Sequence, residues 1–202
     1  VVVVTAGALV AGGVVVAATV ASSAPVLALT DTSQSTEIAV EQAKINTIST
    51  GPTPQVTAGA YHTCALLNTG AVNCWGYNGQ LGNNTTDTSS VPVAVNPFTG
   101  GATAVSITAG AFHTCALLNT GAVNCWGYNF EGQLGNNTTD TSSVPVAVNP
   151  FTGGATAVSI TAGAFHTCAL LNTGAVNCWG YNFEGQLGNN TTDTSSVPVA
   201  VN

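Results

Sequence analysis

The chain has 202 residues, of which 45% are apolar and only 4% are charged, whereas ordinary soluble domains carry about 25% charged residues. Lys44 is its one basic side chain, and the formal net charge is −7. Because proteins bind a phosphate backbone with lysine and arginine side chains, this composition excludes nucleic acid as a partner.

Residues 1–30 form an uncharged segment rich in valine and alanine. As an α-helix at about 1.5 Å per residue it would be about 45 Å long, more than the roughly 30 Å hydrocarbon core of a bilayer. Three interpretations compete. The segment is a secretory signal peptide with residues 26–28 as its small-residue cleavage site, or a membrane anchor, or the start of a mature protein that has lost a short basic leader. The helical pattern of the next twenty residues favours the third.

An amphipathic helix is predicted over residues 37–48, where three isoleucines repeat at i, i+7 and i+10. Gly51 and Pro52 then end it. Residues 1–50 are therefore expected to form a long apolar helix with an amphipathic second half, and this architecture resembles type IV pilins, the archaeal pilins and archaellins in particular. Valine also favours strands, so the alternative for residues 1–30 is a donated N-terminal strand that links subunits.

The rest of the chain contains three copies of one unit. His62, His113 and His166 lie 51 and 53 residues apart, and a period near 50 is typical of propeller blades or repeat arrays. Each unit also has two cysteines ten residues apart, the second followed directly by a tryptophan. These residues are Cys64, Cys74 and Trp75, then Cys115, Cys125 and Trp126, then Cys168, Cys178 and Trp179.

Each pair of cysteines flanks a predicted β-hairpin. In the first unit the turn is Asn68, Thr69 and Gly70, the residue types that a tight hairpin turn needs. Pairing about this turn places Cys64 opposite Cys74. A cross-strand disulfide there would stabilise the hairpin by roughly 2–4 kcal/mol, because it restricts the unfolded chain.

A metal site is the alternative for the histidines and cysteines, with His113, Cys115 and Cys125 as ligands in the second unit. Structural zinc requires four ligands, usually with closer cysteine spacing, so the disulfide is favoured and no metal or other cofactor is expected. The three histidines are predicted to be buried and hydrogen-bonded inside their own repeats. The three tryptophans are predicted to supply buried area.

The second half of the unit is punctuated by glycines, which permit tight turns. A polar loop comes next, and then a strand with a proline, Pro145, which predicts a position at the start or edge of a sheet. The whole pattern, Cys-Trp-Gly-x-Asn-x-x-Gly-Gln-Leu-Gly with a closing Val-Pro-Val, resembles the repeat of the regulator of chromosome condensation (RCC1) family. It covers residues 56–202, although the first copy lacks the pair Phe130 and Glu131 of the second.

The resemblance implies four-stranded propeller blades, which in that family usually close as seven. The predicted fold class is α+β, with a long N-terminal helix in residues 1–50 and an incomplete all-β propeller in residues 51–202. The repeats are expected at about 56–103, 104–156 and 157–202. An array of three leaves two terminal faces uncovered, so contacts between subunits are expected at the first and last blades.

Six patterned cysteines favour an oxidising compartment, and an extracellular or cell-surface location is predicted. Each polar loop also holds two overlapping Asn-x-Thr acceptors for N-linked glycans, which would replace surface charge as the solubilising layer. The acceptors are Asn83, Asn84, Asn136, Asn137, Asn189 and Asn190.

The predicted function is a structural subunit of an extracellular, pilus-like filament, a homo-oligomer with N-terminal helices in its core and glycosylated repeats outside. The alternative is a membrane-anchored or secreted repeat module that binds an unidentified surface ligand. An enzyme is not expected, since acid–base catalysis needs positioned carboxylates or an oriented base, and no catalytic residue is assigned. The RCC1 family's chromatin binding and nucleotide exchange are not expected either, because residues 45–202 contain no lysine or arginine.

Overall fold

The computed structural model describes Glu37, Ile38, Val40, residues 51–77 and residues 79–202. The described part of the chain contains twelve strands and two short 3-10 turns, all within the compact unit Thr50–Asn202. The strands are β1 Gln55–Ala58, β2 His62–Leu66, β3 Val72–Gly76, β4 Ser89–Ala94, β5 Ala104–Ala109, β6 His113–Leu118, β7 Val123–Gly127, β8 Ser142–Ala147, β9 Ala157–Ala162, β10 His166–Leu171, β11 Val176–Gly180 and β12 Ser195–Ala200. The 3-10 turns are Thr99–Gly101 and Thr152–Gly154.

Each repeat folds as one antiparallel sheet of four consecutive strands, in the orders β1-β2-β3-β4, β5-β6-β7-β8 and β9-β10-β11-β12. We call these sheets the first, second and third blades. The 3-10 turns lie in the segments that join one blade to the next. The prolines of the Val-Pro-Val motif lie in the last strand of each sheet, which is an edge strand. The predicted edge position is therefore confirmed. Proline has no backbone N–H to donate, so it is tolerated where one side of the strand has no partner.

The predicted hairpin and its register are confirmed. Leu66 pairs with Val72 and Cys64 with Cys74, and Gly70 has a φ of 81°, a conformation that only glycine adopts at little cost. The turn closes with a hydrogen bond of 2.9 Å from Gly70 N to the carbonyl of Leu67.

The hydrophobic core lies between the blades. One buried cluster joins Leu66 and Leu81 of the first blade to Ile107 and Trp126 of the second. A second cluster joins the second blade to the third in the same way. Each blade therefore depends on its neighbour for burial, as expected of a repeat array.

The predicted α+β class is wrong. The described residues form an all-β fold, and no helix of seven or more residues occurs among them; Glu37, Ile38 and Val40 are helical. The apolar segment of residues 1–30 lies outside the described residues. The prediction treated hydropathy and periodicity as enough for a helix, although helices in proteins are stabilised mainly by the surface they pack against.

Among the residues that the structure describes, no helix is long and apolar enough to cross a lipid bilayer.

Candidate functional site

The tryptophans of the repeat connect one blade to the blade before it. Trp126 and Trp179 are fully buried. Trp126 Nε1 donates to the carbonyl of Gln80 and Trp179 Nε1 to the carbonyl of Gln133, each at 2.9 Å. Trp75, on the far side of the first blade, is half-buried. Trp126 and Trp179 thus supply buried area, and in addition each makes a directed hydrogen bond between blades.

The histidines also act between blades, so the prediction that each bonds inside its own repeat is wrong. His62 Nε2 lies 2.7 Å from Thr114 Oγ1, and His113 Nε2 lies 2.9 Å from Thr167 Oγ1. Each threonine directly follows the histidine of its own blade. Because successive side chains of a strand point to opposite faces of the sheet, the threonine faces the preceding blade and bonds to the histidine of that blade. His166, on the outer side of the third blade, is half-buried.

The hydrogen bonds around His113 define its tautomer. Thr167 Oγ1 donates to the carbonyl of Gln133 at 3.1 Å, so its oxygen accepts from His113 Nε2–H. Nδ1 of His113 is buried without a partner, against Gly110, where an added Cβ would lie 2.5 Å away. The ring is therefore a neutral structural donor with no nitrogen open to a substrate.

Burial disfavours the charged form of these rings. It lowers the pKa of His62 to about 4. Burial, together with repulsion from His62 and His166, lowers the pKa of His113 to about 3. Burial also lowers the pKa of His166. At neutral pH His62 and His113, the two histidines at the blade boundaries, are uncharged and contribute packing and hydrogen bonds.

The three predicted disulfides are confirmed. The cysteine pairs are cross-strand neighbours with Cα atoms 4.1 Å apart, and they are Cys64–Cys74, Cys115–Cys125 and Cys168–Cys178. With both sulfurs of each pair bonded to one another, the alternative site of His113, Cys115 and Cys125 has no thiolate to offer a metal.

The predicted glycan acceptors differ in exposure. Asn137 is exposed and has a φ of 64°, whereas Asn136 is half-buried and its Oδ1 accepts from Thr138 Oγ1 at 3.0 Å. The pairs in the other two loops show the same division, with Asn84 and Asn190 exposed. Glycan attachment stays a prediction, and the exposed member of each pair is the one that presents its amide to solvent.

A continuous row of aromatic rings crosses one end of all three blades. It starts with Tyr61, which stacks on Phe112 at 5.2 Å between ring centroids, and Phe112 stacks on Phe165 at 5.9 Å. Further rings from the loops after the third strands flank this stack, with neighbouring centroids 4.6–6.4 Å apart. We call the whole set the aromatic surface: Tyr61, Tyr77, Phe112, Tyr128, Phe130, Phe165, Tyr181 and Phe183.

Four rings of the aromatic surface are exposed and four are half-buried, and together they are most of the tyrosine and phenylalanine rings of the chain. Tyr61 is 59% exposed and Phe130 is 65% exposed. The sequence has four tyrosines and six phenylalanines, so eight of the ten lie on this surface. Tyr61, Tyr77 and Phe112 line an open hollow of about 280 Å³.

Every charged side chain of residues 51–202 lies at this same end. The five are all acidic, and all lie in the loops between the third and fourth strands of the blades, which carry part of the aromatic surface: Asp87, Glu131, Asp140, Glu184 and Asp193. Buried Asn129 holds the loop of the second blade in shape. Its Nδ2 donates to the carbonyl of Asp140 at 3.0 Å, and its Oδ1 accepts from Leu134 N at 2.9 Å.

The sequence profile described as the regulator of chromosome condensation (RCC1) repeat matches residues 69–117, 120–170 and 173–202, more than half of the chain. The chain belongs to the RCC1 repeat family. A second RCC1 repeat profile matches the three blades again, at residues 55–80, 104–133 and 157–186.

Similar RCC1 repeats occur in much longer proteins. The ultraviolet-B receptor UVR8 of Arabidopsis thaliana is 34% identical over 149 residues, 72% of this chain and 33% of the receptor. The probable E3 ubiquitin-protein ligase HERC4 of Homo sapiens is 35% identical over 149 residues, 73% of this chain and 14% of the ligase. The chain thus spans a third or less of the length of these relatives.

The blades also superpose on a solved RCC1 propeller. Prp20p from Saccharomyces cerevisiae matches with a TM-score of 0.64 at 21% sequence identity, over 73% of this chain and 38% of Prp20p. At that identity the likeness shows the fold, three consecutive blades of an RCC1 propeller.

These relatives overturn the expected role as a subunit of a pilus-like filament, which is wrong. The relatives are RCC1-repeat proteins, and the described fold is a set of RCC1 blades. The filament prediction depended on the apolar residues 1–30, which lie outside the described residues, while family and fold are carried by residues 55–202. The resemblance of the N-terminal segment to pilins has no support.

Sequence reasoning missed the aromatic surface and the roles of Asn129 and Gln133. The signal for the two polar residues was the string from Trp126 to Gly135, which recurs unchanged at 179–188. Polar residues inside such a repeated string, between large apolar ones, are typical of buried hydrogen-bonding positions. The aromatic surface had no comparable signal, because its rings are brought together by blade packing.

Proposed function

We propose that the three RCC1 blades form a binding module and that their aromatic surface binds a cationic segment of a partner protein. The observation that supports this proposal is that aromatic and charged side chains lie at the same end of the blades. Eight of the ten tyrosine and phenylalanine rings and all five charged side chains of residues 51–202 lie at one end of the blades.

Exposed aromatic rings and carboxylates both favour a positive ligand. An arginine or lysine over a ring contributes about 0.5–1 kcal/mol at an exposed site, and arginine also stacks its planar guanidinium on the ring. The module has five carboxylates and no lysine or arginine. All charged side chains of the module therefore attract a positive segment and repel an anionic partner.

Binding suits these residues better than catalysis. His113 is fully buried, with Nε2 bonded to Thr167 and Nδ1 enclosed by the protein, so neither nitrogen can reach a substrate as a general base. A nucleic-acid partner stays unexpected because the module has no lysine or arginine. The disulfides support an oxidising compartment, outside the cytoplasm, as the place where the module works.

A direct binding measurement tests the function. The whole 202-residue chain is titrated with a fluorescently labelled arginine-rich peptide and, as the matched ligand control, with the same peptide in which every arginine is replaced by glutamine. We expect saturable binding of the first peptide only. Raising the salt concentration weakens it, because the carboxylate contribution is screened.

Two groups of variants separate the aromatic and acidic contributions. We expect Phe130→Ala to weaken binding about two- to fivefold, the equivalent of 0.5–1 kcal/mol, and Glu131→Gln to reduce the salt dependence. Val158→Ala is the control, since Val158 is 53% exposed on a strand and lies outside the aromatic surface. Equal binding of both peptides, or full binding by Phe130→Ala together with Tyr61→Ala, refutes the proposal.

A further inference from the structure

The loop after the third strand differs between the first blade and the other two. The second and third blades each have a Phe-Glu pair in this loop, and the first blade lacks it. Phe130 packs on Tyr128 with ring centroids 4.6 Å apart, and Phe183 packs on Tyr181 at 4.9 Å. In the two blades that have the pair, its phenylalanine therefore covers the tyrosine two positions before it.

Tyr77 is the tyrosine of this loop in the first blade, and the residue two positions after it is Gly79. Tyr77 is 51% exposed, whereas Tyr128 and Tyr181 are half-buried. The difference follows the Phe-Glu pair and not the place of the blade in the array, because Tyr181 of the third blade is half-buried like Tyr128 of the second. The composition of its loop thus leaves one tyrosine ring of the first blade open.

An open hollow adjoins the ring of Tyr77. It is lined by Tyr77 and Tyr61 of the first blade and by Phe112 of the second, and its volume is about 280 Å³. We call it the tyrosine hollow. Pockets that enclose a whole small-molecule ligand measure about 300–1,000 Å³, so the tyrosine hollow suits one side chain of a larger partner.

The equivalent rings at the next boundary are arranged differently. They are Phe112, Tyr128 and Phe165, and the centroid of Tyr128 lies 6.0 Å from that of Phe112 and 6.3 Å from that of Phe165. Phe130 packs against the same tyrosine. A ring of the chain itself thus covers this group, while the tyrosine hollow is open to a ligand.

The lining of the tyrosine hollow favours a flat, positive group. The guanidinium of arginine is planar and weakly hydrated, so it stacks on aromatic rings, whereas the ammonium of lysine is a strongly hydrated point charge. Asp87 lies in the loop that follows Tyr77, and every charged side chain of residues 51–202 is acidic. The charge of the module therefore attracts a cation to this end of the blades.

We propose that the tyrosine hollow is the anchor site for one arginine side chain of the cationic segment. This assignment rests on the proposed function and names the contact that contributes most to it. Cation–ring contacts are stronger where water is excluded than at exposed sites. The arginine in the hollow therefore contributes more than arginines that lie over the other rings of the aromatic surface.

A loop insertion tests the assignment in the whole 202-residue chain. Inserting Phe and Glu between residues 78 and 79 gives the first blade the loop sequence of the other two. It adds a ring and a carboxylate, so binding would become tighter if rings and charges acted only by number. We expect binding of the labelled arginine-rich peptide to weaken at least about fivefold, because the new phenylalanine covers Tyr77. Equal or tighter binding overturns the assignment.

Two matched substitutions remove equivalent rings. Tyr77→Ala opens one wall of the tyrosine hollow, and Tyr181→Ala, in the third blade, is the control. We expect Tyr77→Ala to weaken binding at least about tenfold and Tyr181→Ala no more than about fivefold. Circular dichroism checks that both variants are folded.

A lysine peptide tests the occupant of the hollow. It has the length and charge of the arginine-rich peptide, with every arginine replaced by lysine. We expect the unmodified chain and Tyr181→Ala to prefer the arginine peptide to the same degree, and the preference to fall at least about threefold in Tyr77→Ala. A loss of structure alone would weaken both peptides equally and would leave the preference unchanged.

The possible results separate this assignment from the proposed function. Saturable, arginine-dependent binding with equal losses in Tyr77→Ala and Tyr181→Ala overturns the anchor site and leaves the proposed function unaffected. No saturable binding by the unmodified chain overturns both. Equal displacement of the labelled peptide by an uncharged peptide with one phenylalanine shows that the hollow takes an apolar side chain, and it overturns the assignment to arginine.

Discussion

Acidification is expected to destabilise this fold through its two buried histidines. His62 has a pKa of about 4 and His113 a pKa of about 3 in the folded chain, whereas an unfolded histidine has a pKa of about 6.5. The folded pKa lies below the unfolded one. The unfolded chain therefore binds more protons below about pH 6.5, and stability that is present above this pH is lost as the pH falls toward the folded pKa.

The size of the loss is set by the width of that pH window. Each pH unit costs about 1.4 kcal/mol for each ring that stays neutral in the folded state. From about pH 6.5 to pH 5 the loss is about 2 kcal/mol for each ring, and about 4 kcal/mol for His62 and His113 together. Small proteins unfold at a cost of only about 5–15 kcal/mol, so a loss of this size is readily measured.

Urea unfolding, monitored by tryptophan fluorescence without reductant, measures the free energy of unfolding at the two ends of the range. His113→Gln keeps a side-chain donor for Thr167 and removes one titrating group, so its loss between pH 7 and pH 5 is expected to be about half that of the unmodified chain. A loss below about 1 kcal/mol in the unmodified chain, or an equal loss in the variant, refutes the argument.

Two further substitutions test the contacts between blades, each by the shift in urea midpoint. Trp126→Phe removes the donor to the Gln80 carbonyl and is expected to cost about 1–3 kcal/mol, whereas Trp75→Phe, at the half-buried tryptophan of the first blade, is expected to cost less than about 1 kcal/mol. Equal costs contradict this expectation. Gly135→Ala and Gly185→Ala both place alanine at a positive φ. A Cβ at Gly135 would lie 2.7 Å from Nε1 of Trp179, whereas a Cβ at Gly185 would have no other atom within 4 Å. We therefore expect about 1 kcal/mol for Gly185→Ala and at least about 2 kcal/mol for Gly135→Ala, and a larger cost at Gly185 contradicts the reasoning.

Features with short sequence separation were predictable. The cysteines of a hairpin are ten residues apart, and the turn at Gly70 sets which residues face each other, so turn chemistry alone was enough to predict the disulfides. The proline of the Val-Pro-Val motif marked the edge strand in the same way. The spacing of the histidines indicated the blade repeat, and reading that spacing requires no knowledge of packing.

Features that depend on the packing of one blade against another were not predictable. His62 and Thr114 are 52 residues apart in the chain, and no local rule states that one meets the other. The aromatic surface combines Tyr61, Phe112 and Phe165 from three different repeats, and nothing in the sequence around any one ring indicates that the three stack. The filament prediction was wrong because it was inferred from the hydropathy of one segment. Hydropathy indicates that a segment is buried, but it does not indicate against which surface.

The blade repeat follows from the period of the sequence. The register of each hairpin and the pairing of its cysteines follow from turn geometry within about a dozen residues. The groups that bond across the blade boundaries, and the common end at which the rings and carboxylates lie, follow from the packing of the blades. The physical reason is that these contacts join residues about fifty positions apart, whose meeting depends on how one sheet packs on the next.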